Sequence, residues 1–256
     1  MKVVILAGGY GSRLSEETRY RPKPMVEIGE KPILWHIMKE YYHYGFDEFI
    51  ILLGYKQEYI KDYFNNYFIH NSDVTFDMKN NDIIIHNKNS EKWKVTLVDT
   101  GLDTMTGGRL KRVEKLLDNE TFMLTYGDGV CDIDLKKLLR YHKKNKTIAT
   151  ITSVQVKERF GILKIDDNNK IKEFKEKKQE DGQWINGGYM VFESEIFKYL
   201  DDDSTVLERV LEKLSLENEL MAYKYDGFWQ CMDTLKEKIY LDNLLKENNA
   251  PWEVWK

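Results

Sequence analysis

KVVILAGGYGSRL (2–14) is the stretch from which the fold is read. Val3 to Ala7 form an apolar run without polar alternation. Such a strand is buried on both faces, which is the mark of a parallel sheet inside an α/β protein. It leads directly into Gly8, Gly9 and Gly11. Glycines at the end of a strand let the backbone approach a ligand closely and turn successive N–H groups into a concave anion site. Arg13 adds a fixed positive charge. A tight turn with no ligand is the plainer alternative. The spacing GGxGxR is neither the GxGxxG of dinucleotide folds nor a P-loop, because no GK[ST] ending follows. Further along, RPKPM (21–25) sets Lys23 between two prolines that stiffen the chain. Two cations beside a glycine loop favour phosphate binding.

Outward from this loop, strand and helix patterns alternate. PILWHIMKEYYHYG (32–45) has helical spacing, EFIILLG (48–54) reads as a second buried strand, and KQEYIKDYFNNYF (56–68) as a second helix. KVTLVDTG (94–101) and TFMLTYGDG (121–129) are further strands, with a helix expected over RLKRVEKLLD (109–118). Two segments read as hairpins instead, DVTFDMKNNDIIIHNK (73–88) and FGILKIDDNNKIKEFKEK (160–177), each around a polar turn. TIATITSVQV and INGGYMVFE add strands, and helices are expected over 204–214 and 233–248. The fold expected is α/β: a Rossmann-like mixed, mainly parallel sheet flanked by helices, with β-hairpin insertions. No repeat, low-complexity tract or Pro/Gly-rich linker divides the chain, so one domain over 1–256 is expected.

Composition excludes several classes. The 256 residues carry 39 Lys+Arg against 43 Asp+Glu, a formal net charge of −4. That balance offers no basic face for nucleic acid. Apolar runs such as VVILA and FIILL (49–53) are far shorter than the ~20 residues that span a bilayer. No signal-peptide pattern opens the sequence, and a cytoplasmic protein is expected. Cys131 and Cys231, far apart, suggest neither metal clip nor disulfide framework. None of the histidines has a metal spacing such as HExxH; His36 and His142 lie in helical patterns and read as structural.

LAGGYGSRL followed by KPM resembles the signature LAGGxGTRL…KPM of sugar-1-phosphate nucleotidyltransferases. The resemblance runs through PMVEIGEKPILWHIM, TLVDTG, MTGGRLKRV, TYGDGV, RFGILKI, INGGYMVF, GFWQCMDT and the closing APWEVW. MTGGRLKRV and GFWQCMDT are similar to the branch that transfers a cytidylyl group. The implied reaction is attack by glucose 1-phosphate on the α-phosphorus of CTP, releasing pyrophosphate and serving bacterial surface 3,6-dideoxyhexoses. A sugar phosphate is already a charged oxygen nucleophile, so the needs are charge neutralisation, alignment and a metal, with Mg2+ implied.

The resemblance also implies roles. Leu6, Ala7, Gly8, Gly9, Gly11 and Ser12 would wrap the nucleotide, with Ser12 in place of the usual Thr. Arg13 and Lys23 would be catalytic, neutralising phosphate charge. Asp128 in TYGDG closes an apolar strand, where open α/β sheets present ligand-binding residues, and with Asp233 would hold the metal. An Asp-Gly turn for Asp128 and a helix N-cap for Asp233 are the plainer alternatives. Arg109 would read cytosine O2 and N3 with Thr104 beside it, although a surface charge on the following helix fits the same residue. In FKEKK (174–178), Glu176 would hold sugar hydroxyls and Lys177 the sugar phosphate, with a solvated charged face as the plainer alternative; Lys178 replaces the family's proline. Asn186 and Gly187 would face the sugar. Trp229 would pack on it or belong to the core. A homo-oligomer, hexameric, is also implied, with the aromatic stretch 59–68 and the 73–88 hairpin as interface surface; alternatively those aromatics face the core. Two further readings stay open on the sequence: a cytidylyltransferase for another phosphorylated acceptor, and a catalytically silent nucleotide-sugar-binding relative.

Overall fold

The computed structural model describes residues 1–86, 90–155, 162–165, 170–175 and 183–256. β1 (Lys2–Ala7) opens the chain, followed by a short helix α1 (Ser15–Thr18) and a small ladder of β2 (Glu27–Ile28) and β3 (Lys31–Pro32). Then come α2 (Ile33–His43), β4 (Glu48–Leu53), α3 (Gln57–Asn65), α4 (Tyr67–His70), and a hairpin of β5 (Asp73–Asp77) and β6 (Asp82–His86). β7 (Lys94–Asp99), α5 (Thr106–Lys111), β8 (Phe122–Tyr126), β9 (Gly129–Cys131) and α6 (Leu135–Asn145) lead to β10 (Ala149–Gln155). The rest is β11 (Ile162–Ile165), β12 (Ile171–Lys175), β13 (Trp184–Phe192), α7 (Leu207–Leu216), β14 (Leu220–Tyr225), β15 (Trp229–Cys231) and α8 (Leu235–Lys246).

Seven strands form one sheet in the order β14-β10-β13-β8-β1-β4-β7. β1 runs parallel to both β4 and β8, β4 to β7, and β10 to β14. β13 is antiparallel to both neighbours, β8 and β10. The sheet is therefore mixed and mainly parallel, as expected from its unbroken apolar strands. The side chains of β1 alternate across it. Val3, Ile5 and Ala7 join a core with α2 residues such as Ile33, Leu34 and Ile37. Val4 and Leu6 join a second core with Leu110 and the α7 residues Leu207, Val210, Leu211 and Leu214. β4 divides in the same way, Phe49, Ile51 and Leu53 against Ile50 and Leu52. Helices on both faces explain why neither strand shows the polar alternation of a half-exposed sheet.

Two helical expectations are revised. The segment 56–68 is two helices, broken at Asn66. The expected helix over 109–118 instead begins at Thr106 and stops at Lys111, with a separate 3-10 turn over Glu114–Leu117. Gly107 and Gly108, poor helix formers, sit in its first turn because the neighbouring chain leaves no room. A Cβ on Gly107 would lie 2.8 Å from the Thr205 carbonyl oxygen, and one on Gly108 2.6 Å from that of Asp203. Among the described residues no helix is long and apolar enough to cross a membrane. Both cysteines are free.

Candidate active site

The loops that follow β1, β7 and β8 open onto one cleft, at the carboxyl ends where parallel strands present their loops. It has a volume of about 570 Å³, and Leu6, Ala7, Gly8, Gly9, Gly11, Arg13, Lys23, Thr104, Arg109 and Asp128 all line it. Ser12 does not; it is exposed at the start of the 3-10 turn Ser12–Leu14. Residues that the sequence reading did not single out complete the wall, among them Tyr10, Leu102, Thr106 and Tyr126.

Arg109 is the keystone of this wall and is only 5% exposed. Its Nη1 donates to the Leu53 carbonyl at 3.0 Å, the Thr100 hydroxyl at 2.7 Å and the Gly101 carbonyl at 2.7 Å. Its Nη2 donates to the carbonyls of Gly8 at 3.2 Å and Leu102 at 3.0 Å. One guanidinium thereby ties the glycine loop, the end of β4 and the 100–102 loop together. Burial, then the nearby Arg112, lower its pKa from the ordinary arginine range. The surface-charge alternative is excluded, and the guanidinium is not free, since both terminal nitrogens are already engaged. The fit requires glycine: a Cβ on Gly8 would lie 2.2 Å from Arg109 Nη1, and one on Gly54 2.5 Å from the same atom.

Asp128 and Asp233, far apart in the chain, are brought together by a short antiparallel ladder. β9, just after Asp128, pairs with β15, just before Asp233, with Cys231 opposite Gly129. The Met232 amide donates to the Asp128 carbonyl at 2.8 Å, closing the pair. Lys23 Nζ donates to Asp128 Oδ2 at 2.5 Å and also to Asp233 Oδ1. Arg13 Nη1 lies 2.6 Å from Asp233 Oδ2. Burial works against the charge of Lys23, but Asp128 and Asp233 outweigh it and raise its pKa. The N-cap alternative for Asp233 is excluded. Thr234 caps α8 in a capping box with Glu237, whose carboxylate also accepts from the Asp233 amide at 2.8 Å. The Asp233 carboxylate is left to its ion pairs with Lys23 and Arg13.

A second cavity of about 310 Å³ shares Arg13, Tyr126 and Asp128 with the first and adds Asn186, Gly187, Glu208, Trp229 and Asp233. Trp229 is half-buried there, and its Nε1–H donates to the Gly187 carbonyl at 2.7 Å. The Gly188 amide donates to Asn186 Oδ1 at 2.9 Å, which leaves the Asn186 amide NH2 as a donor for a ligand. Cys231 lines this cavity too, but burial and then Asp233 push its thiol up to about 12, so it is not a nucleophile near neutral pH. Glu176, Lys177 and Lys178 lie outside the described residues.

Two adjoining cavities meet at two carboxylates and two cations, at the carboxyl ends of a mainly parallel sheet. Cations at that position suit anionic ligands. Residues 2–234 match the family model described as Nucleotidyl transferase, and the chain belongs to that family. It is 52% identical to the glucose-1-phosphate cytidylyltransferase of Salmonella typhi, with 100% of both chains covered. The same identity and coverage hold for the glucose-1-phosphate cytidylyltransferase of Salmonella typhimurium. Among solved structures it resembles HddC from Yersinia pseudotuberculosis, with a TM-score of 0.69 and 26% identity, covering 95% of this chain and 99% of that one.

Proposed function

We propose that this nucleotidyltransferase transfers CMP from CTP to α-D-glucose 1-phosphate, giving CDP-glucose and pyrophosphate. The observation that carries the reading is the meeting of the two cavities at Arg13, Lys23, Asp128 and Asp233. The full-length likeness to two glucose-1-phosphate cytidylyltransferases selects the substrates. The larger cleft takes CTP along the 6–12 loop, and the smaller takes the sugar phosphate against Asn186, Gly187 and Trp229, with Glu176 and Lys177 assigned to the sugar end as well.

Lys23 and Arg13 carry the transfer. The nucleophile is already anionic, so no general base is required; the barrier lies in bringing anions together in line. Lys23 leaves its carboxylates for the α-phosphoryl group, and Arg13, already exposed, moves onto the phosphates. The two carboxylates converge on a point that a cation can occupy, since the Lys23 ammonium touches both. Two carboxylates with substrate phosphates suit Mg2+, which keeps few protein ligands. Asp128 and Asp233 would hold that ion, which supplies neutralisation of triphosphate charge. For the base, Arg109 and Thr104 remain the assigned readers. Contact with cytosine O2 and N3 requires the guanidinium to exchange part of its carbonyl set on the 101–102 loop.

We further propose that the chain works as one domain in a cytoplasmic homo-oligomer, a hexamer, and that CDP-glucose feeds surface polysaccharide synthesis. The hairpin supports self-association: Phe76, Met78, Ile83, Ile84 and Ile85 are all exposed. Bare apolar side chains on both faces of an isolated two-stranded ribbon call for a partner. Sedimentation showing a monomer at micromolar concentration sinks the oligomer. Pyrophosphate release from CTP, glucose 1-phosphate and Mg2+, lost with EDTA, tests the reaction. Faster release with another nucleotide or another sugar phosphate overturns the substrate assignment.

A further inference from the structure

Glu208 belongs to none of the motifs that carry the reaction. It is the second residue of α7, inside a segment, LERVLEKL, whose pattern is simply that of an amphipathic helix. Yet its side chain reaches the smaller cavity, where it stands with Asn186, Gly187 and Trp229. Oε1 accepts from the Tyr126 hydroxyl at 2.9 Å and Oε2 from the Thr106 hydroxyl at 3.1 Å. Thr106 also accepts from the Leu207 amide at 2.9 Å, so the start of α7 and the Glu208 carboxylate are fixed by one side chain. Tyr126 and Thr106 both line the nucleotide cleft as well. Glu208 therefore sits on the partition between the two cavities.

Its chemistry differs from that of the other carboxylates lining the same cavity. Asp128 and Asp233 are engaged by the cations Lys23 and Arg13. Glu208 is engaged by two neutral hydroxyls. An ionised carboxylate offers about four acceptor sites, of which two are taken. A carboxylate repels phosphate and accepts readily from hydroxyls, so the cavity has a cationic side at Arg13 and a hydroxyl-accepting side at Glu208. A sugar phosphate can enter such a cavity in one sense only, phosphate toward Arg13 and ring hydroxyls toward Glu208.

We propose that Glu208 is a specificity-determining residue that accepts a hydrogen bond from a ring hydroxyl of the sugar-phosphate acceptor. It selects sugars presenting a neutral donor there and rejects acceptors carrying an anionic group at that place. The inference rests on the sugar-phosphate reading of the smaller cavity. Hydrogen bonds to charged groups contribute about 1.5–3 kcal/mol, which corresponds to roughly 10- to 100-fold in affinity.

The test is steady-state kinetics of Glu208→Ala and Glu208→Gln with glucose 1-phosphate and its monodeoxy analogues, after thermal melting has shown that both variants fold. The expected result is a KM for glucose 1-phosphate raised roughly 10- to 100-fold in Glu208→Ala. Glu208→Gln, which keeps an acceptor oxygen, should rise less. KM for CTP should stay within about twofold, and one deoxy analogue should be as poor for the wild type as for Glu208→Ala. An unchanged KM for glucose 1-phosphate overturns the inference. So does a parallel rise in KM for CTP, which would make Glu208 a brace for Thr106 and Tyr126. A wild-type enzyme silent on CTP and glucose 1-phosphate overturns the substrate reading first, and the inference with it.

Discussion

The cleft we assign to the nucleotide and the cavity we assign to the sugar phosphate are built by opposite means. The nucleotide side is a buried assembly in which one guanidinium holds the ends of β1 and β4 through backbone carbonyls. The proposed sugar side is an open wall: Trp229 of β15 is tied to Gly187 of β13 by one hydrogen bond, and Glu208 of α7 to Tyr126 and Thr106 by one each. Stability and function should therefore be coupled on the first side and separable on the second. At the seam, Asp128, Asp233, Lys23 and Arg13 are linked by ion pairs.

The largest effect should fall at that seam. Asp233→Asn keeps the shape but removes a charge, so kcat should fall by about 10²–10³, the scale of a lost preorganised electrostatic contact. The melting temperature should hold. Normal turnover in this variant breaks the assignment of Asp233.

Next comes Arg109→Ala, which strips donors from five oxygens, most of them buried. A buried polar group left without its partner costs about 1–3 kcal/mol, so urea unfolding should show a stability loss of about 3 kcal/mol or more. The preference for CTP over UTP, expected at roughly 10⁴ by unpaired-donor discrimination, should narrow in the same variant. A stable variant with full base preference would show that the nucleotide side is not held by this residue.

The third effect concerns the cation standing between the carboxylates. Lys23→Met removes the ammonium that contacts Asp128 and Asp233. Nucleotide-free protein should then bind Mn2+ roughly tenfold more tightly, on the scale of ordinary coupling energies, read by electron paramagnetic resonance. Unchanged binding would mean that Lys23 does not compete for the metal position.

Trp229→Phe should be milder. It deletes one hydrogen bond, to Gly187, contributing about 1 kcal/mol. KM for glucose 1-phosphate should rise severalfold, while KM for CTP and the melting temperature stay put. A large stability loss would place Trp229 in the core and erase the contrast between the sides.

The smallest effect lies outside the site. His36 is buried; one ring nitrogen faces the Ile28 carbonyl at 3.0 Å, and Trp252 Nε1 donates to the other at 3.3 Å. Burial holds its pKa below the ordinary value in the folded chain. The unfolded chain therefore takes up the proton first. Stability contributed by neutral His36 is fully present above about pH 6.5 and is lost as pH falls through its lower folded pKa. Urea midpoints at pH 5 and pH 8 should differ less in His36→Asn than in the wild type. An equal difference sinks this role.

The two sides also differ in how legible they were in the sequence. β1, the glycine loop and Lys23 are contiguous or nearly so, and unbroken apolar runs with glycines carry their own physical meaning. The pairing of Asp128 with Asp233 could not be derived that way, because β9 and β15 are three residues each and too short to show a period. Only family likeness joined them. Glu208 was hidden by a helix pattern that explains every residue around it without reference to a ligand. The helix at Thr106 was misplaced because packing against 203–205 outweighs the low helix propensity of two glycines. The hairpin was read correctly as a hairpin, but a strand's own residues do not reveal what covers it.

The ladder of β9 with β15 has a consequence for how such an enzyme can change its acceptor. It works as a clasp, and the stretch between its two strands begins and ends at the same place in space. That stretch contains β13 and α7, and hence Asn186, Gly187 and Glu208, while the 6–14 loop, Lys23 and Arg109 precede it. On the proposed assignment, the acceptor contacts of Asn186, Gly187 and Glu208 lie on one continuous piece of chain and the nucleotide contacts on another. Recombination that exchanged the enclosed piece, leaving the clasp in place, would then pass a new sugar preference to an old nucleotide preference in a single genetic event.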